Sequence, residues 1–268
     1  MHATLLDLIK SIDPYVYPSN PLVHPRDNAR MTPFHLVIGN HHVDPPILPI
    51  GHIHPTILID MLAYNVETVG ESFTFYPAMG PRPESAVLRA VKAVAFSYQA
   101  VNRGKDALTG IIDGLVDFMR KRGTVPEDKY GPNEERFAMY ASPRSTHFEG
   151  KVLGPMRNAV ATVARSRSGF FGCATFGVKA ILYEGEGEGM RIWVQVRGGK
   201  LNQSSWGGQY DVTANGALPA GLLPLEGIVK ECVEEADLPA EFCAANLKLT
   251  ATASYWMIAK EWVRPHTT

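Results

Sequence analysis

The sequence predicts an α+β protein, and three observations lead there. Nine of its twenty prolines lie between Pro14 and Pro55, a density that breaks helices and favours extended or turn backbone. Residues 106–121 place Leu108, Ile111, Ile112, Leu115, Phe118 and Met119 at helical spacing on one face. Residues 176–183 and 191–197 are rich in β-branched and aromatic side chains, the composition of strands.

Taken in order, a helix is expected over 5–12, followed by short strands over 34–39 and 47–53 in the proline-rich stretch. Ala and Val recur at helical spacing over 84–102, so a helix is expected there, and a second over 106–121. The strand runs 176–183 and 191–197 flank Glu184-Gly-Glu-Gly-Glu-Gly189. Alternating glycine supplies turn backbone and clustered carboxylates hold it in water, so the segment reads as the turn of a hairpin. A helix over 223–237 stops before Pro239, and a strand is expected over 247–258.

Composition sets limits on function. With 45% hydrophobic and 20% charged residues, the 268-residue chain can bury a sizeable core. Lys plus Arg number 26 against 27 Asp plus Glu, so no overall field draws the protein to nucleic acid or an anionic membrane. No apolar run approaches the roughly 18 residues of a membrane helix. The first residues lack the pattern of a secretory signal. Three cysteines without CxxC spacing argue against a disulfide framework or a structural zinc site. The expected location is cytoplasmic.

The chemistry is concentrated in residues 216–238, Gly-Ala-Leu-Pro-Ala-Gly-Leu-Leu-Pro-Leu-Glu-Gly-Ile-Val-Lys-Glu-Cys-Val-Glu-Glu-Ala-Asp-Leu. At 100° per residue, Leu225, Val229, Cys232, Val233 and Ala236 form an apolar stripe. Glu231, Glu234 and Glu235 are expected on the opposite side, at i, i+3 and i+4. Three carboxylates on one face repel one another, and an oxygen-rich site of this charge suits Mg²⁺ or Mn²⁺. A solvated acidic face is the alternative reading. Gly216 and Gly221 allow sharp turns and close approach to a ligand before the helix.

Loop, acidic helix and loop resemble the Nudix box, whose pattern is Gly, five residues, Glu, seven residues, Arg-Glu-aliphatic-any-Glu-Glu-any-Gly-aliphatic. Gly216 matches the first glycine, Lys230 takes the arginine position, and Glu231, Glu234 and Glu235 match the later glutamates, with Leu238 the closing aliphatic residue. The chain departs from the pattern at Leu222, where a glutamate belongs, and at Asp237, where a glycine belongs. Lys230 keeps the charge of arginine and loses its two-pronged fork.

The flanks are similar to a fungal and plant Nudix group related to the Nudix half of thiamine pyrophosphokinase fusion proteins. The carriers are Phe171-Gly-Cys-Ala-Thr-Phe-Gly177, Ile192-Trp-Val-Gln-Val-Arg197, Lys200 and Trp206-Gly-Gly-Gln-Tyr-Asp211. Leu5-Leu-Asp-Leu-Ile, Ile50-Gly-His-Ile-His-Pro and Asn133-Glu-Glu-Arg-Phe-Ala-Met-Tyr140 resemble that group's companion domain of uncharacterised function.

The resemblance implies a companion domain over 1–164 and a Nudix domain over 165–268, an α/β/α sandwich on a mixed sheet. It implies metal-dependent hydrolysis of a small organic diphosphate, with thiamine diphosphate or its oxidised analogues as candidate substrates. Glu231, Glu234 and Glu235 would hold Mg²⁺ or Mn²⁺, with the Gly216 carbonyl a further candidate ligand. Arg197 and Lys200 are candidates for phosphate contact and Trp206 for stacking on a flat ring, although strand-end and core roles compete for them. Asp211 completes the candidate substrate-binding set. A catalytically degenerate Nudix module that binds a diphosphate or a protein partner is the rival expectation. Few residues follow the strand expected over 247–258, so a shortened sandwich is expected, with 1–164 packed extensively on 165–268 or a homodimer covering the gap.

Other residues have plainer readings. His41, His42, His52 and His54 suggest a metal, but a polar loop or packing role is the favoured reading. Ser145 and His147 stand close together with no sign of a third triad member. Cys232, on the apolar stripe, is expected to be a buried small hydrophobe.

Overall fold

A computed structural model describes residues 31–37, 48–77, 91–125, 135–151, 153–154, 156–198 and 207–253. The helix expected over 5–12, His41, His42, Lys200 and Trp206 lie outside the described residues. Helices and strands are both present, as the α+β expectation requires.

Strands β1 (Thr32–His35), β2 (Gly51–Ile53), β3 (Phe73–Pro77) and β4 (Val91–Phe96) form a mixed sheet in the order β2-β1-β4-β3. The β1–β4 pairing is parallel and the β1–β2 and β3–β4 pairings are antiparallel. Phe34, Phe73 and Phe96 meet on this sheet with ring centroids 5.0–6.0 Å apart. Helix α1 (Pro55–Glu67) starts on Pro55, with His54 Nδ1 accepting from Thr56 N–H at 3.3 Å. Proline at the first helical position loses no bond that the helix would have made.

The helix expected over 84–102 is replaced, within the described residues, by strand β4 and a short helix α2 (Tyr98–Asn102) begun by Ser97. Val94, Ala95 and Phe96 are all buried. A central strand covered on both faces reads as an unbroken apolar run, and its alternation disappears from the sequence. Helix α3 (Lys105–Lys121) follows as expected and buries Leu108, Ile112, Leu115, Val116 and Met119. Arg122 at its end reaches back to the buried carboxylate of Asp60 in α1 at 2.8 Å.

Strands β5 (Arg136–Tyr140) and β6 (Ala159–Ala164) form an antiparallel ladder over α3. Arg136 ties them by donating to Thr162 Oγ1 and to Asp113 of α3, both at 2.8 Å. One hydrophobic cluster extends from Phe34 through these elements to Phe171. Ser145 is buried and donates no proton to His147; instead His147 N–H lies 3.4 Å from Ser145 Oγ in a short turn.

A second, smaller cluster gathers Val178, Ala180, Ala214, Leu218, Ile228, Cys232 and Cys243. It lies between the β7 (Gly177–Ala180) and β12 (Ala214–Ala217) ladder and helices α4 (Pro224–Ala236) and α5 (Ala240–Asn246). Between β7 and β12 in the chain come β8 (Leu182–Glu184), β9 (Arg191–Trp193), β10 (Gln195–Val196) and β11 (Tyr210–Asp211). The hairpin expected around the Glu-Gly repeat is present, with Tyr183 opposite Ile192. The run 176–183 is not one strand, however. It breaks after Ala180, so that β7 pairs with β12 while β8 pairs with β9. Thr213 spans the break: its hydroxyl donates to Trp193 O and accepts from Leu182 N–H.

The strand expected over 247–258 is not formed by residues 247–253, and the rest of that range lies outside the described residues. Helix α5, which the sequence reading missed, occupies the segment just before it. All three cysteines are free thiols. Among the described residues no helix is long and apolar enough to cross a membrane.

Candidate functional site

The candidate site is built on α4 and the strand before it. The helix runs within one residue of the expected 223–237 at each end. Glu226 fixes its start, since its carboxylate accepts from Leu223 N–H at 2.7 Å. Asp237 ends it with φ of 52°. That left-handed position favours glycine, and a short polar side chain tolerates it. Asp237 therefore takes a backbone turn that a glycine at this position would also take. Leu222, where the pattern has glutamate, is half-buried against the second cluster and carries no charge there.

The orientation of α4 differs from the helical-wheel expectation. Its packed face is Gly227, Ile228, Glu231 and Cys232, while Leu225 and Val233 are exposed. The reason lies in the opposing strand. A side chain at residue 216 would overlap the carboxyl group of Glu231. The hydrogen side chain of Gly216 thus makes the room that lets a carboxylate sit on the inner face. A Cβ on Gly227 would come within 2.7 Å of Leu218, so a second glycine lets helix and strand approach closely. Cys232 is buried, and burial pushes its thiol up to about 11, consistent with an inert small hydrophobe.

The three glutamates have different surroundings. Glu231 retains 9% of its exposure. Burial pushes its carboxyl above the usual carboxylate range; Lys230 counters this in part, and the charges of Glu234 and Glu235 add to the rise. Glu234 accepts from Lys230 Nζ at 2.9 Å. That bond, foremost among several carboxylate influences, raises the lysine above its ordinary value. Glu235 turns toward the strands, accepting from Asn215 N–H at 2.8 Å and from Gln195 Nε2 at 2.9 Å. Gln195 is a site residue that sequence reading missed, and its partner could not be found without the β10–β11 pairing that aims it.

Of the candidate substrate-binding residues, the structure brings Arg197 and Asp211 together. Arg197 Nη1 lies 2.6 Å from Asp211 Oδ2, and Lys179 Nζ lies 3.9 Å from the other oxygen. Asn215 Nδ2 also donates to Asp211 at 3.1 Å. Arg197 holds the Asp211 carboxyl below the usual range, with Val212 N–H and Lys179 adding to the effect. Asn215 links this ion pair to the acidic helix, because its backbone N–H is the donor to Glu235. The Gly216 carbonyl oxygen lies against Gly177 of the neighbouring strand.

The donor set fits a hard divalent cation in its chemistry. Three carboxylates lie within five residues; Glu231 and Glu234 share one lysine, Glu235 faces the strands, and burial keeps the Glu231 carboxyl above its ordinary range. They do not converge in this structure, where Glu234 and Glu235 are engaged with Lys230 and Asn215. Among the described residues no group of three or more His, Cys, Asp or Glu side chains is gathered as a metal-ligating set. His54 serves as the helix cap of α1, and His52 is buried on β2.

Compared with models of known protein families the chain matches none, and no curated protein matches it either.

Proposed function

We propose that the second region of the molecule, the elements from β7 to α5 around the smaller cluster, forms a Nudix-type site that hydrolyses the diphosphate bond of a small organic diphosphate with Mg²⁺ or Mn²⁺. The observation that carries this reading is the contact of Gly216 with Glu231. A glycine on the strand makes room for a buried carboxylate at the first glutamate of a Glu-x-x-Glu-Glu helix. On this reading Glu231, Glu234 and Glu235 would hold the cation, which would supply charge neutralisation for the diphosphate oxygens and a lowered pKa for the attacking water. Arg197 follows β10 and shares the Asp211 carboxylate with Asn215; it is the candidate phosphate contact, with Asp211 holding its guanidinium in place. Thiamine diphosphate and its oxidised analogues are the first substrates to try; fold and motif do not fix the leaving group.

One observation favours a second reading, a module that binds a diphosphate without turnover. The Leu222 side chain fills with packing the place where the family carries another carboxylate. Phosphate or monophosphate release across a panel of organic diphosphates separates the two. Turnover that requires Mg²⁺ or Mn²⁺ and vanishes in EDTA is the expected result. Ligand binding without turnover across the panel supports the second reading, and turnover undiminished after complete metal removal excludes the first.

A further inference from the structure

Lys230 stands where the two regions of the molecule meet. Its ammonium donates to Glu234 at 2.9 Å and lies 3.5 Å from Glu231. On its other side, 3.9 Å away, is a carboxylate oxygen of Glu135, which immediately precedes β5 of the first region. Glu135 is held in place by Arg165: its second oxygen lies 3.1 Å from Arg165 Nη1, and its carbonyl accepts from Arg165 N–H at 2.9 Å. The neighbouring backbone is pinned as well, since Arg136 O accepts from Ala220 N–H at 2.8 Å in the loop before α4.

This arrangement has an electrostatic consequence. A divalent cation on Glu231 and Glu234 would share those carboxylates with an ammonium a few ångströms away, and like charges at that distance repel even when partly screened by solvent. Lysine carries its charge on a flexible four-carbon stem, and Glu135 offers that charge another acceptor. We infer that Lys230 is the internal counter-ion of the acidic helix, and that Glu135 is the positioning residue that receives it when a divalent cation takes Glu231 and Glu234. The inference rests on the metal site proposed above. It assigns the first region a part in the chemistry of the second.

Binding of Mn²⁺ alone, followed by calorimetry and by loss of the free-ion electron-spin signal, tests this without any substrate. Lys230→Gln should bind Mn²⁺ about fivefold more tightly than wild type, the scale of one partly exposed ion pair, and Lys230→Arg should stay near wild type. Glu135→Gln should weaken binding several-fold. In the Lys230→Gln background the same Glu135 substitution should have little effect, because residues acting through one another are not additive. Thermal melts of each variant confirm that the fold is kept. A Glu135 effect that persists undiminished in that background, or a Lys230→Gln protein that binds no more tightly, overturns the inference. Glu231→Gln separates this from the underlying reading: loss of Mn²⁺ binding there supports the metal site whatever Lys230 does. Absence of Mn²⁺ binding in wild type removes both.

Discussion

The two regions of this molecule are held together differently. The first is cemented by large side chains: Phe34, Phe96, Phe171, Leu115, Met119 and Met139 are fully buried in one continuous cluster. The second has a small cluster made largely of Val, Ala and Cys, while Tyr183, Ile192, Trp193 and Val196 remain exposed on its strands. Its elements are joined instead by polar links, such as Thr213 across the strand break and Asn215 between Glu235 and Asp211. Apolar burial scales with area and needs no direction; hydrogen-bonded carboxylates have direction and leave charge available. Stability is concentrated in the first region and the candidate chemistry in the second.

That division can be broken from either side. Phe96→Ala should cost about 3–5 kcal/mol, the range for emptying an aromatic site in a core. Ile228→Ala, beside the small side chains of Ala180 and Ala214, should cost about 2 kcal/mol, the low end for its type. Urea unfolding of both variants measures the contrast, and equal losses would show that the second region is no less dependent on burial than the first.

Changes at the acidic helix should reverse the pattern. Glu234→Gln or Glu235→Gln should lower hydrolysis by about two orders of magnitude or more, close to 3 kcal/mol of transition-state stabilisation. Their melting temperatures should move little, because both side chains are exposed and a glutamine amide oxygen at 235 can still accept from Asn215 N–H. Similar small losses of rate from Glu234→Gln, Glu235→Gln and Glu226→Gln would mean that the acidic face is only solvated surface.

Glu231 should behave in the opposite sense to an ordinary stabilising carboxylate. Its folded-state carboxyl is raised above the ordinary value of 4.5. Its contribution to stability is therefore complete below that value, and is lost as pH rises through the raised one. In EDTA at neutral pH, Glu231→Gln should be more stable than wild type, and the difference should shrink toward pH 4. Denaturation at the two pH values checks the sign, and a difference independent of pH would contradict the assignment.

The smallest expected effect concerns the end of α4. Asp237→Gly should stabilise by about 0.5–1 kcal/mol, because glycine takes the left-handed backbone without the steric cost borne by Asp.

These contrasts also explain which parts were legible in the sequence. The end of helix α4 could be placed because Pro239 follows it, and its glutamates stand at fixed spacing. The β8–β9 hairpin could be placed because the Glu-Gly repeat between its strands suits a turn and little else. Strand β4 was misread because burial on both faces erases the period that marks a strand. The inner face of α4 was misassigned for a different reason. A helical wheel ranks faces by hydrophobicity, whereas here the carboxyl group of Glu231 occupies space that the missing side chain of Gly216, a residue of another element, leaves open. Resemblance points to Arg197 and Asp211 as separate candidates; their pairing, and its link to Glu235 through Asn215, depend on strand register. The contact between Lys230 and Glu135 joins residues far apart in the chain and leaves no trace in local pattern.

The most direct test of the central claim is the position of Mn²⁺ in crystals of the protein, located by its anomalous scattering. An ion is expected about 2.2 Å from carboxylate oxygens of Glu231 and at least one of Glu234 and Glu235, the distance usual for hard cations on oxygen, with Lys230 turned toward Glu135. Mn²⁺ bound elsewhere, with Lys230 still on Glu234 and no ion at Glu231 under saturating conditions, would contradict it.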